Sequence, residues 1–188
     1  MARTNSTMLP LGTPAPLFSL TDVVTENAIS AAWFIDKDAL LVIFLCVHCP
    51  YVKHVQDELA KIGRDYAETP LGILAISSND AVQYPDDGPE GLKAMAEALG
   101  FKFPVCYDES QEVAKSFAAA CTPDFFLFDA ERKLVYRGQL DESRPKMDPP
   151  VPVTGASLRA AIDAVLKGEG VNPDQRASLG CNIKWKAE

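Results

Sequence analysis

The chain has 188 residues, of which 47% are hydrophobic and 23% are charged. A chain of this size buries about 70% of the surface that it exposes when unfolded, so neither disulfides nor wholesale disorder is expected. Its net charge of -8 disfavours binding to the phosphate backbone of nucleic acids and to anionic membrane surfaces.

The composition also bears on location and on thiol chemistry. The longest apolar run, residues 40–47, is shorter than the roughly 18 residues of a membrane span. The N-terminus lacks the apolar stretch of a secretion signal, so we expect a cytoplasmic protein. Five cysteines, an odd number, favour thiol chemistry over a disulfide framework.

The first half of the chain predicts an extended arm followed by alternating strands and helices. Residues 1–15 form the arm, and short strands are expected at 17–21 and near 31–34. The continuously apolar residues 40–45 predict a central strand that is buried on both faces. Apolar residues at three- and four-residue steps predict a helix over 50–66.

The second half continues this alternation. We expect strands at 72–77, 103–107, 124–128 and 134–140, the last two as a hairpin. A helix is expected to begin at Pro89 and to stop at Gly100, and Asp108 with Gln111 resembles a capping box for a helix through 119. Residues 141–153 are rich in proline and predict a semi-rigid linker, followed by a helix over 154–167 with Thr154 as N-cap and by an irregular tail. Residues 1–188 are therefore expected to form a single α/β domain with a mixed sheet.

The most informative segment is Cys46-Val47-His48-Cys49, between the predicted central strand and the next helix. Two cysteines at this spacing can close a disulfide, and the free N–H groups of a helix N-terminus stabilise a thiolate. We expect Cys46 to be the exposed nucleophile and Cys49, one turn into the helix, to be the buried resolving thiol. His48 can add a hydrogen bond or a positive charge.

Other interpretations of these thiols remain open. A CxxC pair also forms half of a zinc site, although the sequence has no second CxxC, and both histidines, His48 and His54, lie in this segment. We therefore expect no metal, and we interpret His54 as a surface residue. The two thiols can also be inert and buried.

A second segment, Cys121-Thr122-Pro123, precedes the predicted hairpin. The Thr122–Pro123 bond can be cis, because the cis form of an X-Pro bond has a small penalty. A cis bond would turn Thr122 toward the CxxC pair and leave its backbone free for an incoming peptide or disulfide. Cys121 is either a small buried side chain or a third thiol for exchange. Cys106 is assigned to the core, and Cys181 is either packed or regulatory.

These segments together resemble the thioredoxin fold. The stretches CVHCPYVKH, ACTPDFFLFD, VYRGQLDESRP and GCNIKWK are similar to peroxiredoxin-like thioredoxin family proteins of the alkyl hydroperoxide reductase and thiol-specific antioxidant superfamily. The resemblance covers about residues 10–188. It implies a central mixed sheet flanked by helices, with Cys46 as nucleophile, Cys49 as resolving thiol and Pro123 in the cis form.

The chain departs from these families at two points. A peroxiredoxin motif resembles P-x-x-x-T-x-x-C, but Ile43 lies three residues before Cys46, and Cys46 itself lies three residues before Cys49. The hydroxyl that would orient a peroxide is therefore missing on either alignment. Residues 40–45 also lack the buried acid with which thioredoxins accept the proton of the resolving thiol, a task that His48 or solvent can take.

The sequence thus predicts a thiol–disulfide oxidoreductase that needs no organic cofactor. Its expected partners are protein or small-molecule disulfides and dithiols, with a thioredoxin-like protein or glutathione as reductant. Two alternatives stay open: a thiol-dependent peroxidase, and a thioredoxin-fold protein that handles copper or another metal through Cys46, Cys49 and a histidine.

Overall fold

The computed structural model describes residues 3–187, and its centre is a mixed sheet of five strands. In order across the sheet these are β6 (Val105–Tyr107), β5 (Leu71–Ser77), β4 (Ala39–Phe44), β8 (Asp124–Phe128) and β9 (Leu134–Gly138). β4, β5 and β6 run parallel, and β8 pairs antiparallel with both β4 and β9. β4 lies in the middle and is buried along its whole length, so the predicted central strand and mixed sheet are confirmed.

Helices cover both faces of this sheet. They are α1 (Pro50–Asp65), α2 (Pro89–Leu99), α3 (Glu112–Ser116) and α4 (Ala156–Leu166). Successive side chains of a strand point to opposite faces. Leu41 and Ile43 of β4 therefore join a core with α1, α2 and α4, and Val42 and Phe44 join a second core around Phe117. Within residues 3–187 no helix has the length and apolarity that crossing a bilayer would require.

The strand predicted near residues 31–34 is wrong. This segment is a 3₁₀ helix, Ala31–Phe34, and the strand β3 (Ala28–Ser30) precedes it and pairs with β2 (Ser19–Thr21). The helical turn buries Phe34 while Trp33 stays 56% exposed. A short apolar run does not distinguish these two backbone forms, which explains the error.

The side chains of Asp108 and Gln111, predicted as a capping box, form hydrogen bonds with other groups instead. α3 begins only at Glu112, after Gln111 in a left-handed conformation. The Asp108 carboxylate accepts the Ser78 hydroxyl and the Ala114 N–H, both at 2.9 Å. The Gln111 amide donates to the Lys184 carbonyl at 2.9 Å, so it fastens the C-terminal segment and does not cap a helix.

The predicted linker is a packed loop that reaches α4. Asp141 and Ser143 are buried, and the Asp141 carboxylate accepts the N–H groups of Thr154 and Gly155 at 2.7 and 2.8 Å. α4 therefore starts at Ala156 with Gly155 as its N-cap, and Thr154 is not the cap that the sequence predicted.

The tail, predicted as irregular, contains a strand. β10 (Leu179–Asn182) lies between β1 (Arg3–Asn5) and β7 (Cys121–Thr122), antiparallel to both. We call residues 179–187 the C-terminal strap. Beyond β10 the strap is held by the Asp80 N–H, which donates to the Lys184 carbonyl at 2.8 Å.

Gly180 permits the close approach of β10 to β7. A Cβ atom at this position would lie 2.1 Å from the Thr122 carbonyl oxygen and 2.6 Å from its carbon. Both obstacles are backbone atoms, so no side-chain movement relieves the overlap. The strap therefore needs glycine here for steric reasons.

We predict that Gly180→Ala forces β10 away from β7 and lowers the unfolding free energy by about 1–3 kcal/mol, the usual cost of overpacking. Gly170→Ala is the matched control, because open space surrounds its Cβ position. Its change should stay within about 0.5 kcal/mol. Urea unfolding measures both variants, and equal midpoints for Gly180→Ala and the wild type would contradict the steric argument.

Candidate active site

The CxxC segment connects the end of β4 to the start of α1. Pro50 is the first helical residue, so Cys49 is the N-cap and Cys46 lies three residues before it. Both thiols are free and buried, with 1% and 0% exposure. The sequence prediction of an exposed Cys46 at the helix N-terminus and of Cys49 one turn inside is therefore wrong. The physical reason is Pro50, which is well suited to the first turn and sets the helix start one residue after Cys49.

Thr122 faces both cysteines from β7. Its hydroxyl oxygen lies 3.4 Å from Cys46 Sγ, and its carbonyl oxygen accepts the Cys49 thiol at 3.2 Å. The Thr122–Pro123 bond is cis, as predicted. The backbone of Thr122 is not free for a peptide, however, because the strap pairs with it in the register Thr122–Cys181.

The strap adds a thiol that the sequence analysis did not place at the site. Cys181 Sγ lies 2.9 Å from Cys49 Sγ, and both residues are buried. No spacing rule reveals this contact, because 132 positions separate the two cysteines. Only the pairing of β10 with β7 brings them together.

The other two cysteines have different surroundings. Cys121 precedes Thr122, and its thiol contacts the Pro123 carbonyl oxygen at 3.6 Å. Burial raises its pKa well above the usual range. Cys106 lies in the second core, as predicted, where burial raises its pKa to about 12. A role for Cys121 as a third exchanging thiol stays a prediction.

The pKa values of Cys46 and Cys49 are shifted in opposite directions. The hydrogen bond between the two thiols, their burial and the Asp87 carboxylate raise the pKa of Cys46 far above its usual value. The same hydrogen bond lowers the pKa of Cys49 to about 5 against the opposing effect of burial, and contacts with Cys181 and the Val52 N–H lower it further. Cys49, at the N-terminal end of α1, is therefore the more acidic thiol of the pair.

Asp87 organises the turn between the two cysteines. Its buried carboxylate accepts the N–H groups of Val47 and His48 at 2.8 and 3.1 Å and the side-chain amide of Asn79 at 2.7 Å. It also pairs with Nδ1 of His48, whose ring stacks on Tyr84 at a centroid distance of 5.0 Å. The sequence analysis gave Asp87 no role, because only the fold brings its 3₁₀ helix, Pro85–Asp87, to the CxxC turn.

Comparison with known proteins places this geometry in a family. The Redoxin family model matches residues 10–153, which is more than half of the chain. The chain belongs to the Redoxin family. This membership confirms the resemblance seen in the sequence and gives the chain a redox role in general.

Three solved structures are similar to this chain. The chain is similar to an uncharacterized conserved protein from Geobacillus kaustophilus, with 51% identity, coverage of 100% of this chain and 98% of that chain, and a TM-score of 0.96. A hypothetical protein from Sinorhizobium meliloti 1021 gives 49% identity, coverage of 98% and 100%, and a TM-score of 0.95. The thioredoxin domain of a thiol-disulfide oxidoreductase from Bacteroides vulgatus, 23% identical over 69% of this chain and 88% of that chain, has a TM-score of 0.58 and shares the fold. No curated protein matches the chain.

One group in this Redoxin-family site has the composition of a metal site. Cys46 Sγ, a ring nitrogen of His48 and a carboxylate oxygen of Asp87 lie within 4.8 Å of one another. The Asp87 carboxylate already accepts hydrogen bonds from two backbone N–H groups and from Asn79. Both of its oxygens thus already accept hydrogen bonds. The three side chains therefore fit a hydrogen-bond network better than a metal site.

Asp124 is a second buried acid near the site, at the start of β8. One carboxylate oxygen accepts the Ala120 N–H at 3.4 Å, and the other has no partner among residues 3–187. Burial raises the pKa of this carboxyl from 3.8 to about 7. The folded chain therefore holds a proton here that the unfolded chain has already lost.

This difference predicts a pH-dependent stability. Between pH 3.8 and about 7 the folded state binds one proton more at Asp124 than the unfolded state does. The contribution of Asp124 to the unfolding free energy should therefore fall by about 1.4 kcal/mol per pH unit as the pH rises. Asp124→Asn removes this contribution, so its stability relative to the wild type should increase across the window. Urea unfolding at several pH values checks the result, and parallel pH curves would contradict it.

Proposed function

We propose that the chain is a thiol–disulfide oxidoreductase whose reactive dithiol is Cys46 and Cys49. The observation that supports this proposal best is the contact of both free thiols, at the start of α1, with Thr122. A thiolate is the nucleophile in thiol–disulfide exchange, and the second thiol of a pair resolves the mixed disulfide. Thr122 lies next to both sulfurs and can fix the position of an incoming sulfur atom.

The first step begins when a substrate disulfide reaches Cys46. The proton of Cys46 moves along the shared hydrogen bond to Cys49, and the Cys46 thiolate attacks one substrate sulfur. The Cys46–substrate bond forms, the substrate disulfide breaks, and the other substrate sulfur leaves as a thiolate. We assign this attack to Cys46 because the half-buried Val47-His48 turn follows it, whereas Cys49 is enclosed by β7 and the strap.

The second step releases the product. Cys49 gives its proton to a base and attacks Cys46 Sγ, so the Cys46–Cys49 disulfide forms and the remaining substrate sulfur leaves as a thiolate. His48 is a suitable base because Asp87 holds Nδ1 and Nε2 has no hydrogen-bond partner among residues 3–187. Two electrons have passed from the dithiol to the substrate. An external dithiol protein or glutathione restores the pair, and the reverse steps oxidise a dithiol.

Substrate access requires a local opening, since both sulfurs are buried. A cleft bordered by Tyr51, His54 and Arg144 reaches Pro123, the residue after Thr122. Protein and small-molecule disulfides that reach this cleft are the proposed substrates. A cytoplasmic location stays a prediction from the sequence.

We predict that Cys49→Ser traps a mixed disulfide on Cys46 when the protein is mixed with oxidised glutathione. The hydroxyl of serine cannot displace the bound thiol, so the adduct persists and appears in intact mass and peptide mapping. Cys49→Ser and Cys46→Ser should each lose at least about 100-fold in turnover, since the two thiols act as a unit.

The control for this experiment is Cys106→Ala, which removes a thiol from the second core. It should turn over like the wild type and hold no adduct. An adduct on Cys49 in the Cys46→Ser variant, with none on Cys46 in Cys49→Ser, would reverse the assigned roles. The absence of an adduct and of turnover in every form would reject the function.

A peroxidase activity is the second candidate, and the Thr122 hydroxyl favours it. Thr122 supplies from β7 the hydroxyl that is missing from the motif before the cysteine, 3.4 Å from Cys46 Sγ. We predict that the wild type consumes hydrogen peroxide faster than free cysteine does, and that Thr122→Val reduces the rate about tenfold through loss of one hydrogen bond. Stopped-flow kinetics measures this, and a wild-type rate equal to that of free cysteine would remove the candidate.

A further inference from the structure

We infer that Cys181 is a third redox-active thiol, which attacks Cys49 and transfers the disulfide from Cys46–Cys49 to Cys49–Cys181. This inference rests on the proposed dithiol function and extends it to the C-terminal strap. No motif in the sequence assigns such a role to Cys181. The role follows from the position of its sulfur atom in the strap.

The position of Cys181 is fixed from two sides. β10 pairs with β7 on one edge, in the register Thr122–Cys181, and with β1 on the other, in the register Arg3–Cys181. Cys181 Sγ lies 2.9 Å from Cys49 Sγ, which leaves no room for water between them. A disulfide bond of about 2.05 Å requires a further approach of less than one ångström.

Two other cysteines contact Cys49 from different segments of the chain. Cys46 forms a hydrogen bond with it from the CxxC turn. On the other side, the Cys49 thiol donates to Cys181 Sγ of the strap at 2.9 Å. Cys49 is thus the common neighbour of both thiols. This arrangement makes Cys49 the sulfur through which a disulfide can pass from one partner to the other.

The charges around Cys181 give the transfer an order. Burial, the hydrogen bond to Cys49 and the charge on Cys49 raise the pKa of Cys181 to about 12, while Lys184 opposes them. When Cys49 enters a disulfide with Cys46, it loses both its negative charge and its hydrogen bond with Cys181. Two of the three causes that raise the pKa of Cys181 are then removed. Cys181 therefore ionises more readily once the CxxC pair is oxidised.

The transfer itself balances without a further oxidant. Cys181 gives its proton to solvent, and its thiolate attacks Cys49 Sγ. The Cys49–Cys181 bond forms, the Cys46–Cys49 bond breaks, and Cys46 leaves as a thiolate. The chain keeps one disulfide throughout, and an external dithiol reduces Cys49–Cys181 at the end of the cycle. The consequence is that Cys46 becomes a free thiol again while the strap is covalently bound to α1.

The test isolates the second pair by removing Cys46. Cys46→Ser is treated with diamide, quenched with an alkylating agent, and mapped by mass spectrometry without reduction. We expect an intramolecular Cys49–Cys181 disulfide in this variant and its loss in the double variant Cys46→Ser with Cys181→Ser. Cys46→Ala repeats the measurement with a different side chain, circular dichroism confirms that each variant is folded, and Cys106→Ala is the control for nonspecific oxidation.

The outcomes separate this inference from the proposed function. If folded Cys46→Ser and Cys46→Ala keep Cys49 and Cys181 as free thiols under conditions that oxidise the wild type, the role of Cys181 is overturned. If both variants form Cys49–Cys181 but the wild type turns over no substrate and Cys49→Ser forms no adduct on Cys46, the contact of Cys181 is upheld and the proposed dithiol function fails.

Discussion

The pairing of β10 with β7 at Thr122 is the interaction on which the site depends. It places a strand near the C-terminus of the chain against the two-residue strand β7, which follows α1, α2 and α3. Through this register Cys181 contacts Cys49, next to the Thr122 that faces both thiols of the CxxC turn. Without it, the two thiols would lack their third sulfur.

The pairing also sets the electrostatics of the site. A buried thiolate is costly unless hydrogen bonds stabilise it. Hydrogen bonds with Cys46 and Cys181 lower the pKa of Cys49, and the N-terminal end of α1 adds its dipole. The hydrogen bond with Cys49, burial and the Asp87 carboxylate raise the pKa of Cys46. The two thiols thus differ in acidity because their neighbours differ and not because the two residues differ chemically.

Much of the architecture was predictable from periodicity. The run at 40–45 is apolar at every position, which indicates a strand buried on both faces, and α1 and α2 begin at prolines that the helix N-terminus accommodates. The proximity of Cys46 and Cys49 was also predictable, because two cysteines three positions apart can approach each other closely enough to form a disulfide. The exposure of Cys46 was not, since burial depends on which segments cover the turn.

The features that the sequence analysis missed all arise from contacts between distant segments. Asp87 ends the short 3₁₀ helix Pro85–Asp87 in a polar segment without a distinctive pattern, yet it accepts the N–H groups of the CxxC turn. β10 is short, contains Gly180 and lacks alternation, so nothing in its four residues predicts a strand. Its pairing follows from the position of β7 and from the space that Gly180 leaves. Such contacts are set by the tertiary fold and have no local pattern.

The most direct test of this account is a pH titration of thiolate absorbance in the ultraviolet, on the wild type, Cys49→Ser and the control Cys106→Ala. The account predicts that the wild type and the control gain one thiolate far below the usual thiol pKa of 9.0, and that Cys49→Ser lacks this low-pH transition. A wild-type absorbance that rises only near pH 9.0, or a low-pH transition that persists in Cys49→Ser, would contradict the central claim that Cys49 is the more acidic thiol of the pair.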